Sequence, residues 1–261
     1  MSAKRLILIT NDDGYFSDGI NALFKEFSKK DEVFMVAPDQ EQSASSHSLT
    51  LHRPLRMRPL DTRRFVVDGT PTDCVMLAMH VLFKKRKPDL IVSGINHGGN
   101  MGDDVTYSGT VAAAIEGAIL KVPALAISMV DYEVAMPMSR AAKFVVKFSN
   151  KLDDFDLPPN VFLNINFPPD NGKAYRDYEF TKQGIRHYRD IVINKTDPRG
   201  RPYYWVAGKP KWKASKGSDF SATQNRKVSV TPVKLDFTDR ETLERLKDFS
   251  ESKPLSKRTK K

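Results

Sequence analysis

The chain has 261 residues, 40% of them hydrophobic, and a formal net charge of +10. This length and apolar content are enough for a substantial core, in one large domain or in one domain with an elaboration. The single cysteine, Cys74, excludes an intramolecular disulfide. No signal-peptide core or apolar run of membrane-spanning length indicates secretion or membrane insertion, so we expect a cytoplasmic protein.

Apolar runs with strand character alternate with helical patterns over the first 166 residues. We predict strands at residues 5–10, 32–37, 65–68, 90–93, 124–128 and 161–165, and helices at residues 20–28, 72–83, 111–120 and 138–150. Such alternation predicts an α/β fold of three layers, Rossmann-like, with a doubly wound and mostly parallel sheet.

The pattern changes after residue 166. Residues up to about 232 are rich in Gly, Pro, aromatic and basic side chains, and short extended runs such as residues 202–207 are typical of hairpin arms. A helix is predicted near residues 238–250, followed by a basic tail that is poor in apolar residues and therefore disordered. We predict an α/β core at residues 1–166, β-rich arms and a C-terminal helix at 167–250, and a tail at 251–261.

The first predicted strand ends in Asn11-Asp12-Asp13-Gly14. Two adjacent carboxylates at the carboxyl end of a strand repel each other unless a cation lies between them, and a hard divalent metal with oxygen ligands is the usual partner. The alternative is an ordinary turn in which Gly14 supplies the bend.

Two further strands end in oxygen-bearing side chains. The second leads into a hydroxyl-rich loop at residues 40–50 that contains Ser43, and the strand at residues 90–93 leads into a loop that contains Asn96. In a parallel sheet these ends share one edge, so the carboxylate, hydroxyl and amide oxygens should converge there.

The fourth feature is the start of an alanine-rich helix at Ser108-Gly109-Thr110. Ser108 or Thr110 can cap the helix, and the unpaired backbone N–H groups of its first turn can bind an anion such as phosphate. The alternative is an ordinary helix cap. We expect a phosphate site only if the sheet edge that carries the carboxylates faces the start of this helix.

These motifs together resemble the SurE (survival protein E) nucleotide phosphatases. The resemblance is continuous to about residue 128 and resumes later. It rests on residues 11–14, 37–39, Ser43, 48–50, 69–74, 93–96 and 107–113, and then on 197–200, 203–205, 218–220 and 228–232.

The resemblance implies a metal-dependent phosphomonoesterase, a 5′-nucleotidase that removes phosphate from nucleoside 5′-monophosphates and also 3′-monophosphates. Its motif places one divalent ion per subunit on Asp12, Asp13, Ser43 and Asn96. All four are oxygen donors, which suits Mg²⁺ or Mn²⁺ rather than structural zinc. This chain differs from many members in the segment at residues 40–42 and in having His97, which we expect to point to solvent.

We expect the metal to position or activate a water that attacks phosphorus. Ser108, Gly109 and Thr110 would bind the phosphate, Asn11 would orient the nucleophile or contact the phosphate, and Asp12 or Asp13 would accept the proton. Attack by Asp12 itself is the alternative, but a coordinated carboxylate is a poorer nucleophile than water.

The positive charge suggests a different class, a nucleic-acid-binding protein that uses its basic surface and tail. Because a positive field would also attract nucleotides, charge does not separate the two hypotheses, and the motifs favour the phosphatase. The resemblance also implies a homodimer or homotetramer whose contacts are made by the arms and the C-terminal helix, since aromatic arms without a local core must bury against something.

Overall fold

The computed structural model describes residues 4–130, 138–169, 175, 177–187, 191–207, 211–213 and 215–252. A sheet of nine strands forms its centre, with helices on both faces, so the predicted α/β architecture is confirmed. No helix in these ranges is both long and apolar enough to cross a membrane. The cytoplasmic location stays a prediction.

The strands run in chain order as follows: β1 Leu6–Thr10, β2 Glu32–Pro38, β3 Met57–Pro59, β4 Arg64–Val67, β5 Leu90–His97, β6 Ala124–Met129, β7 Val161–Phe167, β8 Tyr178–Phe180, β9 Ile185–His187, β10 Ile191–Thr196, β11 Pro202–Ala207, β12 Lys211–Lys213 and β13 Val228–Lys234. The main sheet has the order β3-β4-β2-β1-β5-β6-β7-β13-β8. Pairs from β4 to β7 are parallel, which brings the carboxyl ends of β1, β2 and β5 to one edge.

The helices are α1 Asp18–Phe27, α2 Pro71–Leu77, α3 Gly109–Ile119, α4 Met138–Ser149, α5 Asp219–Gln224 and α6 Arg240–Ser252. The side chains of β1 alternate between two cores: Ile7 and Ile9 pack with α1 and α4, whereas Leu6 and Leu8 pack with α2 and α3. This period of two is expected for a strand that is covered on both faces.

Two predicted elements have an end that differs from the structure by more than two residues. The strand predicted at residues 90–93 continues to His97, with a register shift between Ser93 and Asn96. Gly94 permits this irregularity because its φ is +131° and a Cβ there would lie 2.3 Å from the carbonyl oxygen of Ile127. The helix predicted at residues 72–83 is α-helical only to Leu77 and then forms a π-helical turn at Ala78–Leu82.

The region after residue 166 is β-rich, as predicted, and part of it joins the main sheet. Strand β13 lies antiparallel to β7 within the main sheet, and β8 forms its edge. The pairs β10–β11 and β9–β12 are separate two-stranded sheets. The division into three regions stays a prediction, and residues 253–261 of the predicted tail lie outside the described part of the chain.

Candidate active site

The ends of β1, β2 and β5 bring the four predicted metal ligands to the same edge of the sheet. Asp12, Ser43 and Asn96 line one cleft of about 380 Å³ together with Ser108. Asp13 and Ser43 line a neighbouring cleft of about 440 Å³. Since Ser43 belongs to both clefts, the carboxylate pair lies where they adjoin.

Asp12 is almost fully buried, with 3% of its surface exposed. Its Oδ1 accepts a hydrogen bond from the hydroxyl of Thr110 at the start of α3. Burial raises the pKa of Asp12, and the Thr110 hydrogen bond opposes that rise. The contact therefore ties the end of β1 to the beginning of α3.

Asp13 has a buried oxygen, Oδ2, without a hydrogen-bond partner in the described residues. Burial, followed by the charge of Asp12, raises the pKa of Asp13 from 3.8 to about 7. A backbone hydrogen bond from His97 partly offsets this rise. An unpaired carboxylate oxygen at such a position is suited to a cation, which would remove the repulsion within the pair.

The turn that carries both carboxylates is held by Asn11. The amide nitrogen of this fully buried side chain donates to the carbonyl of Gly14 and to the hydroxyl of Ser17, both at 2.9 Å. Its Oδ1 has no partner in the described residues. With its donors used inside the turn, Asn11 supports the geometry of the carboxylates, and orienting the nucleophile stays a prediction.

Ser43 lies on an exposed loop that is fastened at several points. The backbone N–H of Gln42 donates a hydrogen bond to the carbonyl of Asp12 at 2.8 Å, and the Ser46 hydroxyl donates to the carbonyl of Thr106 at 2.8 Å. The Ser43 hydroxyl donates to Glu41 at 2.6 Å. Ser43 is therefore held at the cleft while its oxygen keeps lone pairs available.

Asn96 is 9% exposed, and its amide nitrogen donates to the carbonyl of Gly98 at 2.8 Å. This bond leaves the amide oxygen as the atom available to a ligand. The side chain of His97 is exposed, but it also lines the second cleft, so it is not directed only to solvent.

The start of α3 faces the first cleft. Ser108 caps the helix by accepting from the backbone N–H of Val111 at 3.1 Å. Gly109 lies so close to the carboxylates that a Cβ there would be 2.8 Å from Cβ of Asp12. The Thr110 hydroxyl is used by Asp12, so the groups left for an anion are the backbone N–H groups of the first turn and the Ser108 hydroxyl.

Sequence analysis missed a buried amide network beneath this edge. Asn100 donates from its backbone to Asn166 at 2.8 Å and from its side chain to Ser128 at 2.8 Å, while Asn164 donates to the Asn100 carbonyl at 2.7 Å. Asn100 also lines the first cleft. The available signal was the alternation of Asn164 and Asn166 within an otherwise apolar buried strand.

Asp73 is a second missed residue. This buried side chain accepts from the backbone and hydroxyl of Thr50 at 3.0 and 2.6 Å, and from the backbone of Thr70 at 2.9 Å. It therefore caps α2 and fastens the far end of the Ser43 loop. The signal was the spacing of Thr70 and Asp73, a capping-box pattern.

The C-terminal region is joined to the site by Asp219. Its carboxylate accepts from the backbone of Gly102 at 2.8 Å and of Gly184 at 2.9 Å. Asp104 in the neighbouring turn pairs with Arg186 of β9, whose guanidinium lies 5.3 Å from the ring centroid of Trp212. The arms thus brace the loop that forms one wall of the first cleft.

The donor set agrees with a hard divalent cation. Two carboxylates, a hydroxyl and an amide line two adjoining clefts that share Ser43. Oxygen donors of this kind favour Mg²⁺ or Mn²⁺ over zinc.

Comparison with known proteins agrees with this geometry. The family model described as "Survival protein SurE" matches residues 7–190. A 5'-nucleotidase SurE of Geotalea uraniireducens is 46% identical over 242 residues, covering 92% of this chain and 97% of the relative. A 5'-nucleotidase SurE of Myxococcus xanthus is 48% identical, covering 92% and 91%. The crystal structure of a SurE protein from Aquifex aeolicus superposes with a TM-score of 0.83 at 41% identity, covering 94% of this chain and 99% of that one.

Proposed function

This chain belongs to the SurE family, and on that basis we propose that it is a 5′-nucleotidase, which hydrolyses nucleoside monophosphates to nucleoside and phosphate. The observation that carries this proposal is the convergence of Asp12, Ser43, Asn96 and the first turn of α3 on one cleft, with Asp13 beside it. We extend the proposal to 3′-monophosphates, which the resemblance of the motifs to the family implies.

The residues fit one Mg²⁺ or Mn²⁺ per subunit, held by Asp12, Asp13, Ser43 and Asn96. The buried, unpaired oxygen of Asp13 supports this assignment. When bound, the metal would neutralise charge on the phosphoryl oxygens and lower the pKa of a coordinated water.

The protein's own groups supply the remaining steps. Ser108 and the backbone N–H groups at the start of α3 hold the phosphoryl oxygens, where they stabilise the charge that develops in the transition state. Thr110 holds the Asp12 carboxylate in place, and Gly109 lets the helix approach it. Asp12 or Asp13 accepts the proton of the attacking water.

We propose a homodimer or homotetramer. The β10–β11 hairpin exposes Tyr204 and Trp205, each by more than 60%, and α6 exposes Leu246 and Phe249, each at 58%. Apolar area of this kind on elements outside the main sheet is typical of subunit contacts.

The test is a panel of nucleoside monophosphates assayed with Mg²⁺, Mn²⁺ and EDTA. Phosphate release should vanish in EDTA and return with either metal. Asp12→Asn should lower kcat on the order of a hundredfold, as expected when a group that acts in the transition state is lost. Asp103→Asn, which changes an exposed carboxylate nearby, is the matched control and should stay within about twofold.

Undiminished turnover in chelated enzyme would contradict the metal site. The alternative class, a nucleic-acid-binding protein, predicts steeply salt-dependent oligonucleotide binding that is reduced by truncation after Ser250. Such binding without phosphate release from any nucleotide would replace the proposed function.

A further inference from the structure

The two clefts at the carboxylate pair differ in chemistry. The first contains the start of α3, which suits an anion, and the carboxylates of Asp12 and Asp104, of which Asp104 is paired with Arg186. The second contains the carboxylates of Asp18 and Glu41 and the aromatic rings of Phe16 and His97. Carboxylates repel a phosphate but accept hydrogen bonds from hydroxyl and amino groups, so a nucleotide bound across the pair would place its nucleoside in the second cleft.

Phe16 is one of two highly exposed aromatic side chains that line the clefts: it lies in the second cleft, whereas Tyr107, 59% exposed, lies in the first. The side chain of Phe16 is 63% exposed, although it lies only three residues after Asp13. One ring contact is with Tyr15, edge to face at 5.5 Å between centroids. Phe16 therefore contributes little to the core and leaves aromatic surface facing the cleft.

The position of this ring is set by the turn that carries the carboxylates. Gly14 has φ +91°, and a Cβ at Gly14 would lie 3.2 Å from Cε1 of Phe16. The ring thus lies against the turn that carries Asp12 and Asp13. A cleft of about 440 Å³ is within the size range of small-molecule sites.

We propose that Phe16 is a specificity-determining residue on which the nucleobase stacks, while Asp18 accepts hydrogen bonds from the ribose hydroxyls. This inference rests on the proposed nucleotidase function and adds to it the location of the nucleoside. Every base has a flat aromatic face, so stacking favours nucleotides over phosphomonoesters without a base and discriminates weakly among the bases.

The experiment compares AMP with ribose 5-phosphate, which keeps the phosphate and sugar but has no base. Phe16→Ala should raise KM for AMP about tenfold, with kcat within about twofold, and should leave kcat/KM for ribose 5-phosphate unchanged. Phe16→Trp should restore the KM for AMP, whereas Phe16→Leu, which is apolar but not aromatic, should not. Phe237→Ala removes another highly exposed phenylalanine and is the matched control.

Binding supplies a readout that does not need turnover. Calorimetric titration with adenosine should show affinity for the wild-type protein and about tenfold weaker affinity for Phe16→Ala. An unchanged KM for AMP, or an equal loss of kcat/KM for AMP and ribose 5-phosphate, would overturn the role of Phe16. A wild-type protein that hydrolyses ribose 5-phosphate but no nucleotide would instead overturn the proposed function.

Discussion

Removing one charge of the carboxylate pair should stabilise the metal-free protein while abolishing its activity. In the folded protein the pKa of Asp13 is raised from 3.8 to about 7, by burial first and by the charge of Asp12 second. The folded state therefore binds this proton more tightly than the unfolded state does. The stabilisation of the folded state by the protonated Asp13 carboxyl is therefore complete below pH 4 and is lost as the pH rises towards 7.

The shift sets the size of the effect. About three pH units at 1.36 kcal/mol per unit correspond to about 4 kcal/mol. Asp13 is partly exposed, so solvent screening reduces this to about 2 kcal/mol. Asp13→Asn keeps the shape without the titration, so in EDTA its unfolding free energy should exceed that of the wild type by about 2 kcal/mol at pH 8. The difference should be smaller at pH 5.

Urea unfolding at pH 5, 6, 7 and 8, with and without Mn²⁺, measures this difference. A metal at a hundredfold of its Kd should stabilise the wild type by about 2.7 kcal/mol and leave the variant unaffected. Asp154→Asn, an exposed carboxylate, is the control and should change stability by less than about 0.5 kcal/mol. Two results would refute the inferred repulsion and burial cost at Asp13: a stability difference between variant and wild type that does not depend on pH, or a variant less stable than the wild type at pH 8 in EDTA.

Two further predictions concern the support of the site. Asp73→Ala removes the buried acceptor of three hydrogen bonds, two from Thr50 and one from the backbone of Thr70 at the start of α2. It should lower the free energy of unfolding, measured in urea, by about 3–5 kcal/mol. Asp61→Ala is the control: it also removes three hydrogen bonds, but these are exposed, so it should lower the free energy of unfolding by less than about 1 kcal/mol. Equal losses of stability in the two variants would contradict the role of burial. Gly109→Ala puts a Cβ against Asp12 and should lower kcat at least about tenfold, whereas full activity would show that α3 can shift without penalty.

Much of the fold could be predicted from local pattern. Apolar runs such as Leu6–Thr10 end in polar residues, and their alternation with helical segments indicates a parallel sheet whose strand ends share one edge. The convergence of Asp12, Ser43 and Asn96 follows from that topology, because the carboxyl ends of neighbouring parallel strands must meet. The motifs also identified the family, since they recur in order along the chain.

Other features depend on residues that are far apart in the chain. The continuation of β5 past Gly94 depends on its pairing with Ser128 and Met129 of β6, and the place of β13 beside β7 depends on pairing across more than sixty residues. Neither contact leaves a periodic signal in its own segment, because periodicity reports only whether a residue is buried and not what covers it.

The functions of individual polar side chains were also decided by tertiary contacts. A threonine at the start of a helix is compatible with capping or phosphate binding, but the Thr110 hydroxyl is used by Asp12, 98 positions away. The spacing of Thr70 and Asp73 predicts only a capping box at the start of α2, but Asp73 also accepts a hydrogen bond from the hydroxyl of Thr50. The sequence determined which chemical groups reach the edge of the sheet. The three-dimensional packing determined which of them remain free to bind a ligand, because a buried donor or acceptor is used by whichever partner the fold brings within reach.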